Sequence, residues 1–135
     1  MTLGPAVATI EEMERLKLVE RSASFEPYMR AKLEALKEKH PSVGDVRGLG
    51  LFWGVELVKN RETKEPFNTM RDKVEGKPLV VDQVAAKMMG RGVALNAWIS
   101  HFVIAPPLIV TEAELDEGID ALDEALAIAD GLAEL

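Results

Sequence analysis

The stretch VGDVRGLGLFWGVELV, residues 43–58, decides the fold class because its apolar residues alternate as they do in a β-strand. One face of this pattern is apolar, and it consists of Leu49, Leu51, Trp53, Val55 and Leu57. The opposite face carries Gly48, Gly50 and Gly54 beside Phe52 and Glu56. Glycines weaken a strand unless the chain bends or another group approaches the backbone closely. We therefore predict two short strands, or one bent strand, joined around residues 48–50.

A helical pattern precedes this region over residues 7–39. Its apolar positions recur at intervals of three and four, which predicts one buried stripe. The stripe comprises Ile10, Met13, Leu18, Val19, Phe25, Met29, Leu33 and Leu36. Pro27 lacks the N–H that an interior turn requires, so a kink or break is predicted near residues 22–26. The pair His40-Pro41 predicts the end of the helix, where a partial positive charge on His40 is favourable.

The chain after residue 58 predicts further short elements. Residues 59–77 are polar and predict an excursion loop, whereas 79–90 predict a short helix that stops at Gly90 or Gly92. Residues 93–97 and 102–105 predict short strands that a loop over residues 98–101 connects. Thr111 and Glu114 predict a capping box that opens a last helix. Its predicted buried stripe is Leu115, Ile119, Leu122, Leu126 and Ala129.

The order of these elements is roughly α-β-β-α-β-β-α. It predicts an α+β fold in which helices pack on a small mixed or antiparallel sheet. A length of 135 residues suits one domain, so we predict a single domain over residues 1–135.

Charge and composition exclude several classes of protein. The net charge is −7, but residues 111–135 hold nine acids and no base, which leaves 14 acids against 16 bases before them. We interpret the acids as solvated faces of the last helix, and no basic stripe suggests a nucleic-acid partner. The absence of cysteine excludes disulfides and zinc–thiolate sites. No apolar run approaches the ~20 residues of a membrane span, and no signal peptide is evident, so a cytoplasmic protein without a membrane partner is predicted.

No motif for catalysis, cofactor binding or metal binding emerges from the residues alone. The spacing Gly48-x-Gly50-x-x-x-Gly54 is one residue longer than the dinucleotide fingerprint and lies in a strand pattern, so backbone packing explains it better. Ser100 and His101 are sequence neighbours, which rarely adopt the geometry of a nucleophile and its base. Lys87 is the one lysine within an apolar helical pattern, and it occupies a solvated face.

The best candidate for a binding surface is the group of Asn96, Trp98, Ser100 and His101, in and beside the loop between the last two predicted strands. Loops at strand ends commonly carry function. An ordinary polar turn is the alternative.

Read together, the ordered motifs resemble the C-terminal small domain of class III aminotransferases, which are pyridoxal-phosphate enzymes of fold type I. The resemblance rests on four stretches and spans residues 6–135, with the omega-aminotransferase branch, which uses pyruvate as amino acceptor, the nearest. These stretches are ATIEEMERLKLVERS (8–22), VGDVRGLGLFWGVELV (43–58), VAAKMMGRGVALN (84–96) and FVIAPPLIVTEAELDEGIDALDEAL (102–126).

The resemblance implies a parent enzyme that transfers an amino group from an amine or amino acid to pyruvate or another keto acid. In that family a large domain, upstream of the matching segment, holds pyridoxal phosphate through a lysine. The large domain is thus absent from this chain. The chain alone is therefore expected to bind no cofactor and to be inactive as an enzyme, with the large domain as its partner. A homo-oligomer is also expected, because an isolated small domain exposes apolar surface.

The resemblance also implies a role in substrate recognition. Family members often pair the substrate carboxylate with an arginine shortly before the Ala-Pro-Pro-Leu segment, and a bidentate guanidinium suits that group. Residues 93–104 contain no arginine, and Asn96 lies near the matching position. We hypothesise that Asn96, Trp98 and His101 line the substrate entrance of the parent enzyme. The alternative is that Arg47, Arg91 or a residue of the large domain recognises the carboxylate.

Two other functions stay open at this point. The chain could be a stand-alone module that binds a ligand without catalysis, or an association domain that uses its glycine-rich sheet face.

Overall fold

A four-stranded antiparallel sheet and five helices build residues 3–134, the part of the chain that the computed structural model describes. The elements in chain order are α1 (Gly4–Arg15), α2 (Leu18–Lys39), β1 (Val43–Leu49), β2 (Phe52–Leu57), α3 (Met70–Val74), α4 (Val80–Met89), β3 (Asn96–Trp98), β4 (His101–Ile104) and α5 (Glu112–Asp130). The strands are arranged in the order β1-β2-β4-β3. The α+β prediction is confirmed, with α1 and α2 separate and α3 added.

The β1–β2 hairpin forms where the glycine pattern predicted a junction. Gly50 adopts a positive φ of 57°, which only glycine adopts readily, and the indole N–H of Trp53 donates to its carbonyl at 2.8 Å. A side chain at Gly48 would collide with the Trp53 ring. These two glycines therefore serve packing inside the domain. Leu49 lies outside the predicted apolar face: it pairs with Phe52 and both side chains are exposed.

The predicted helix over residues 7–39 is two helices, and the predicted break near residues 22–26 is wrong. The break is at Lys17, whose left-handed backbone (φ 50°, ψ 48°) separates α1 from α2. Helix α2 continues past Pro27, because Ser22 and Glu26 on its preceding turns accept hydrogen bonds from the backbone N–H groups of Leu51 (3.1 Å) and Gly50 (3.0 Å). These contacts fix the helix against the hairpin turn. His40, in extended conformation, ends α2 as predicted.

The predicted apolar stripe is buried after this break, except at Val19, and is not buried before it. In α2 the apolar residues Leu18, Phe25, Met29, Leu33 and Leu36 are buried. No residue of α1 is buried, and Ile10 and Val19 are 57% and 72% exposed. The prediction of a continuous buried stripe is therefore wrong for Ile10, Met13 and Val19. Among residues 3–134 no element buries the apolar side of α1.

The core lies between the sheet and helices α2, α4 and α5. Trp53 and Phe102 from the sheet are fully buried in it. The predicted stripes of both C-terminal helices are buried as well, over Val80, Val81, Val84 and Met88 in α4 and over Leu115, Ile119, Leu122, Leu126 and Ala129 in α5. The Thr111–Glu114 capping box is present. Within the described residues, no helix combines the length and apolarity that a membrane span requires.

The polar segment 59–77 is more ordered than an excursion loop. Arg61 donates to the carbonyls of Lys37 (2.6 Å) and Val43 (3.0 Å), which anchors the segment on the end of α2. Helix α3 then begins with a capping box between Thr69 and Asp72. This helix places Lys73 against the Trp98 ring of β3.

Candidate functional site

Strands β3 and β4 carry all three predicted binding residues, so Trp98 and His101 lie in strands and not in the predicted loop, whereas Asn96 lies in a strand as predicted. The connection is only Ile99 and Ser100, and the backbone N–H of Ser100 donates to the Trp98 carbonyl at 2.6 Å. Ile99 has the positive φ of 53° that tight hairpin connections require. His101 pairs with Glu56 of β2 and so belongs to β4, which makes the connection shorter than the predicted loop.

The outer face of the sheet brings Trp98 and His101 together. The two residues are directly opposite each other in the β3–β4 pair, and Asn96 lies two residues from Trp98, on the same face. The same row continues from His101 to Glu56 on β2. Neighbouring strands are about 4.8 Å apart, so Glu56 lies about 10 Å from Trp98 with His101 between them. Trp98 is 47% exposed at the free edge of the sheet.

Lys73 of α3 completes this surface. Its ammonium nitrogen lies 3.4 Å from the centroid of the Trp98 ring, a cation–π contact. Its acidic neighbours bind elsewhere, because Asp72 and Glu75 pair with Lys77 at 2.8 and 3.0 Å. The hydrogen bond from Lys77 is the main cause of the lowered pKa of Asp72. At Glu75 a hydrogen bond from Arg71, followed by that from Lys77, lowers the pKa. The sequence analysis missed Lys73, although the Thr69-x-x-Asp72 pattern was a signal for α3.

A groove of about 980 Å³ lies between α5, the β3–β4 hairpin and the segment 105–111. Its lining is mostly apolar, and Asn96, Thr111 and Glu114 supply side-chain polar groups. Thr111 and Glu114 already bond each other in the capping box, and the Thr111 backbone N–H lowers the pKa of the Glu114 carboxyl. Asn96 borders this groove, whereas Trp98 and His101 lie outside it. The three predicted residues therefore share a sheet face without sharing one cavity.

Arg21 holds the segment that forms one wall of the groove. Its guanidinium donates to the carbonyl oxygens of Leu108 (3.0 Å), Ile109 (3.4 Å) and Val110, which precede α5. The sequence analysis missed this residue, since no local pattern relates it to a segment almost ninety residues away.

The groove does not fit the pyridoxal phosphate that the family resemblance implies. Such a site requires a lysine for the Schiff base, an acid for the pyridine nitrogen and donors for the phosphate. The groove lining contains neither lysine nor arginine, and Glu114 is occupied by its helix cap. In the described part of the chain, no three His, Asp or Glu side chains converge as a metal site would need.

The two arginines considered for carboxylate binding are engaged elsewhere. Arg47 contacts Asp45 at 2.9 Å, and its row on the sheet reaches Asn96 only after three strand spacings, about 14 Å. Arg91 contacts Glu124 of α5 at 2.6 Å. Neither side chain lines the groove.

His40 lies at the end of α2, as predicted, but it is buried in a junction with α5. Its ring nitrogens Nδ1 and Nε2 lie 2.6 Å from Asp130 and 2.7 Å from Asp123. Ser42 donates to Asp130 at 2.6 Å, and Lys39 donates to Asp123 at 2.5 Å. The hydrogen bond from Lys39, followed by that from His40, lowers the pKa of Asp123.

A second polar junction joins the same two helices. The Tyr28 hydroxyl of α2 donates to Asp116 of α5, and Lys32 contacts the same carboxylate at 2.8 Å. Lys32 is the main cause of a lowered pKa at Asp116, and Asp116 in turn raises the pKa of Tyr28. The interpretation of the C-terminal acids as solvated faces is thus incomplete for Asp116, Asp123 and Asp130, which are half-buried and contact residues in or next to α2. They fasten α5 to α2, so these polar groups are structural.

Comparison with known proteins places this arrangement. The family model "Aminotransferase class-III" matches residues 4–126. The leucine/methionine racemase of Thermococcus litoralis is 37% identical over 122 residues, which cover 90% of this chain and 26% of the racemase. The taurine–pyruvate aminotransferase of Bilophila wadsworthia is 36% identical over 127 residues, which cover 92% of this chain and 27% of that enzyme.

A solved structure shows the same fold. The taurine:2-oxoglutarate aminotransferase of Bifidobacterium kashiwanohense, solved in complex with PLP and glutamate, superposes with a TM-score of 0.80 at 31% sequence identity. The match covers 93% of this chain and 27% of that one. The chain thus spans about a quarter of the length of the relatives it matches. On the family match and the shared fold together, the chain belongs to the class III aminotransferases and corresponds to their C-terminal small domain.

Proposed function

We propose that this chain acts as the small domain of a pyridoxal-phosphate-dependent transaminase and closes over a cofactor that a separate large domain holds. The observation that carries the proposal is the apolar side of α1, where Val7 and Ile10 are more than half exposed and no residue of the helix is buried. A contiguous apolar surface of this kind marks a protein interface. The relatives are about four times longer than the matched region, so their remaining chain supplies a partner for it.

The proposal includes inactivity of the chain by itself and a single-domain organisation over residues 1–135. The groove lining without lysine or arginine supports it, because Schiff-base formation needs a lysine amine in the site. Borohydride reduction after incubation with pyridoxal phosphate is expected to label no single lysine. Stoichiometric labelling of one lysine, located by mass spectrometry, would contradict this part of the proposal.

The substrates proposed for the intact enzyme are an amine or amino acid as donor and pyruvate or another keto acid as acceptor. Relatives named for taurine, pyruvate and 2-oxoglutarate support this class. The proposed contribution of this chain is recognition at Asn96, Trp98 and His101, on the outer face of the sheet.

A chimera tests the proposed function. Residues 4–134 replace the matching segment of the Bilophila wadsworthia enzyme, and transamination of taurine with pyruvate is measured. We expect a folded chimera that binds pyridoxal phosphate and retains activity above that of the enzyme with its segment deleted. A chimera that binds the cofactor but has no more activity than the deletion would overturn the proposal.

A second role, homo-oligomerisation of the isolated chain, is favoured by the same exposed side of α1. Sedimentation velocity is expected to show mass that rises with concentration, and Ile10→Asp is expected to abolish the rise. A monomer at every concentration would remove this role. An inactive chimera together with thermal stabilisation of the isolated chain by a keto acid would instead favour the stand-alone binding module. Cytoplasmic localisation stays a prediction.

A further inference from the structure

Anion recognition without an arginine requires another cation, and the outer face of the sheet has one. Residues 93–104 contain no arginine, and Arg47 and Arg91 are bound to Asp45 and Glu124. A carboxylate or sulfonate needs hydrogen-bond donors that carry positive charge. One such group beside the predicted residues is the ammonium of Lys73, which lies 3.4 Å from the centre of the Trp98 ring.

Several lysines among the described residues are held by acids, in contrast to Lys73. Lys77 binds Asp72 and Glu75, Lys59 binds Glu134, and Lys39 binds Asp123. Within residues 3–134, Lys73 forms no ion pair with an Asp or Glu and contacts an aromatic ring instead. A ring face attracts the ammonium without accepting its N–H groups in directed hydrogen bonds, so the N–H groups on the side away from the ring can donate to a ligand.

The neighbours of Trp98 suit an anion at the sheet edge. Asn96 offers an amide donor on the same face, and His101 lies directly opposite Trp98. The nearest acid in the row is Glu56, two strand spacings or about 10 Å from Trp98. An anion held between Lys73 and Asn96 therefore lies on the far side of His101 from this carboxylate.

We propose that Lys73 is a substrate-binding residue that takes the carboxylate or sulfonate group of a small organic anion, with Trp98 beneath its ammonium and Asn96 and His101 alongside. The proposal rests on the proposed function, because it adds a positively charged residue to the surface by which the small domain is proposed to recognise the substrate. Lys73 acts by binding and orienting one end of the substrate, and no bond is made or broken at it.

The direct test uses the 135-residue chain and the two tryptophan indole signals in a ¹H–¹⁵N spectrum. Trp53, which is fully buried and bonded to the Gly50 carbonyl, is the internal reference. Pyruvate and ethanesulfonate are added separately at constant ionic strength, with ethylamine as a cationic control. We expect saturable movement of the Trp98 signal with at least one anion and none at Trp53. The anion that produces it distinguishes a carboxylate from a sulfonate ligand. No saturable movement with either anion would overturn the proposal.

Variants assign the binding to Lys73. Lys73→Gln is expected to weaken anion binding at least tenfold, and Lys73→Arg to retain it. Lys87→Gln, at an exposed lysine of α4, is the matched control and is expected to bind like the parent chain. Equal affinity in Lys73→Gln and Lys87→Gln would overturn the proposal.

The chimera separates this inference from the proposed function. In an active chimera, Lys73→Gln is expected to raise the KM for the anionic substrate at least fivefold and to leave kcat within twofold. An active chimera with an unchanged KM would overturn the inference and leave the proposed function intact. An inactive chimera would overturn the proposed function, while the binding titration still decides whether Lys73 holds the anion.

Discussion

Helices α1 and α5 have similar amphipathic patterns but opposite fates in the folded chain. Helix α5 buries seven residues, whereas α1 buries none. Helix α5 also begins with a complete capping box, while Leu3 precedes α1 without a side-chain cap. The periodicity of apolar residues therefore specifies a helix with an apolar side, but it does not specify which part of a protein covers that side. For α5 the cover is α2 and α4, and for α1 we propose the large domain of the parent enzyme.

The largest expected contrast is between Ile119→Ala in α5 and Ile10→Ala in α1. Ile119 is 7% exposed and Ile10 is 57% exposed. Loss of the buried side chain is expected to lower the free energy of unfolding by about 2–5 kcal/mol. The exposed one is expected to change it by no more than about 0.5 kcal/mol. Urea unfolding of the two variants at equal, low protein concentration measures both, and equal losses would show that α1 is packed within this chain.

The polar contacts of the two helices provide the next contrast. His40→Leu removes one partner from each of Asp123 and Asp130 and is expected to cost about 2 kcal/mol, because two half-buried carboxylates each lose a hydrogen bond. Arg15→Leu breaks only the exposed pair with Glu12 and is expected to leave the unfolding midpoint unchanged. Urea unfolding again measures both. A His40→Leu variant as stable as the parent would show that the α2–α5 junction contributes no net stability.

The helix caps give a smaller contrast. Thr111→Ala removes the side chain that accepts from the Glu114 backbone N–H, with an expected cost of about 1 kcal/mol. Leu3→Ser offers α1 a cap that it lacks, and it is expected to raise helix content in circular dichroism without shifting the urea midpoint. A shift of the midpoint in Leu3→Ser would indicate that α1 unfolds together with the core.

The loss of stability at low pH is the smallest expected effect, and it arises from a carboxylate of α5. The pKa of Asp123 is lowered below its ordinary value of 3.8, chiefly by Lys39 and then by His40. Its contribution to stability is therefore fully present above pH 3.8 and is lost as the pH falls through the lowered pKa. Urea midpoints of the parent chain are expected to fall more steeply below pH 4 than those of Asp123→Asn. Equal slopes of the urea midpoint against pH in the two proteins would show that folding does not lower the pKa of Asp123.

The core could be predicted from the sequence because each of its signals is local. The Thr111 capping box, the alternation around Trp53 and the stripe through Ile119 each depend on residues a few positions apart. The continuity through Pro27 could not be predicted, since α2 contacts a hairpin turn more than twenty residues away. The break at Lys17 could not be predicted either, because lysine is not a residue type that signals a left-handed backbone.

The candidate site was predictable in composition but not in arrangement. Asn96, Trp98 and His101 could be selected as unusual polar and aromatic neighbours. Their common sheet face depends on pairing with β2, and the cation over Trp98 comes from α3, which the sequence analysis treated as loop. Long-range pairing of this kind has no signature within a single sequence window.

Whether a large domain covers α1 can be measured by hydrogen exchange of this helix, in the isolated chain and in the chimera with the Bilophila wadsworthia enzyme. We expect α1 amides of the dilute, monomeric chain to exchange within about tenfold of an unstructured peptide, while α5 amides are strongly protected. In the chimera, α1 is predicted to gain at least a hundredfold protection. Strong protection of α1 in the monomeric chain, or none in an active chimera, would contradict the claim that a large domain covers this helix.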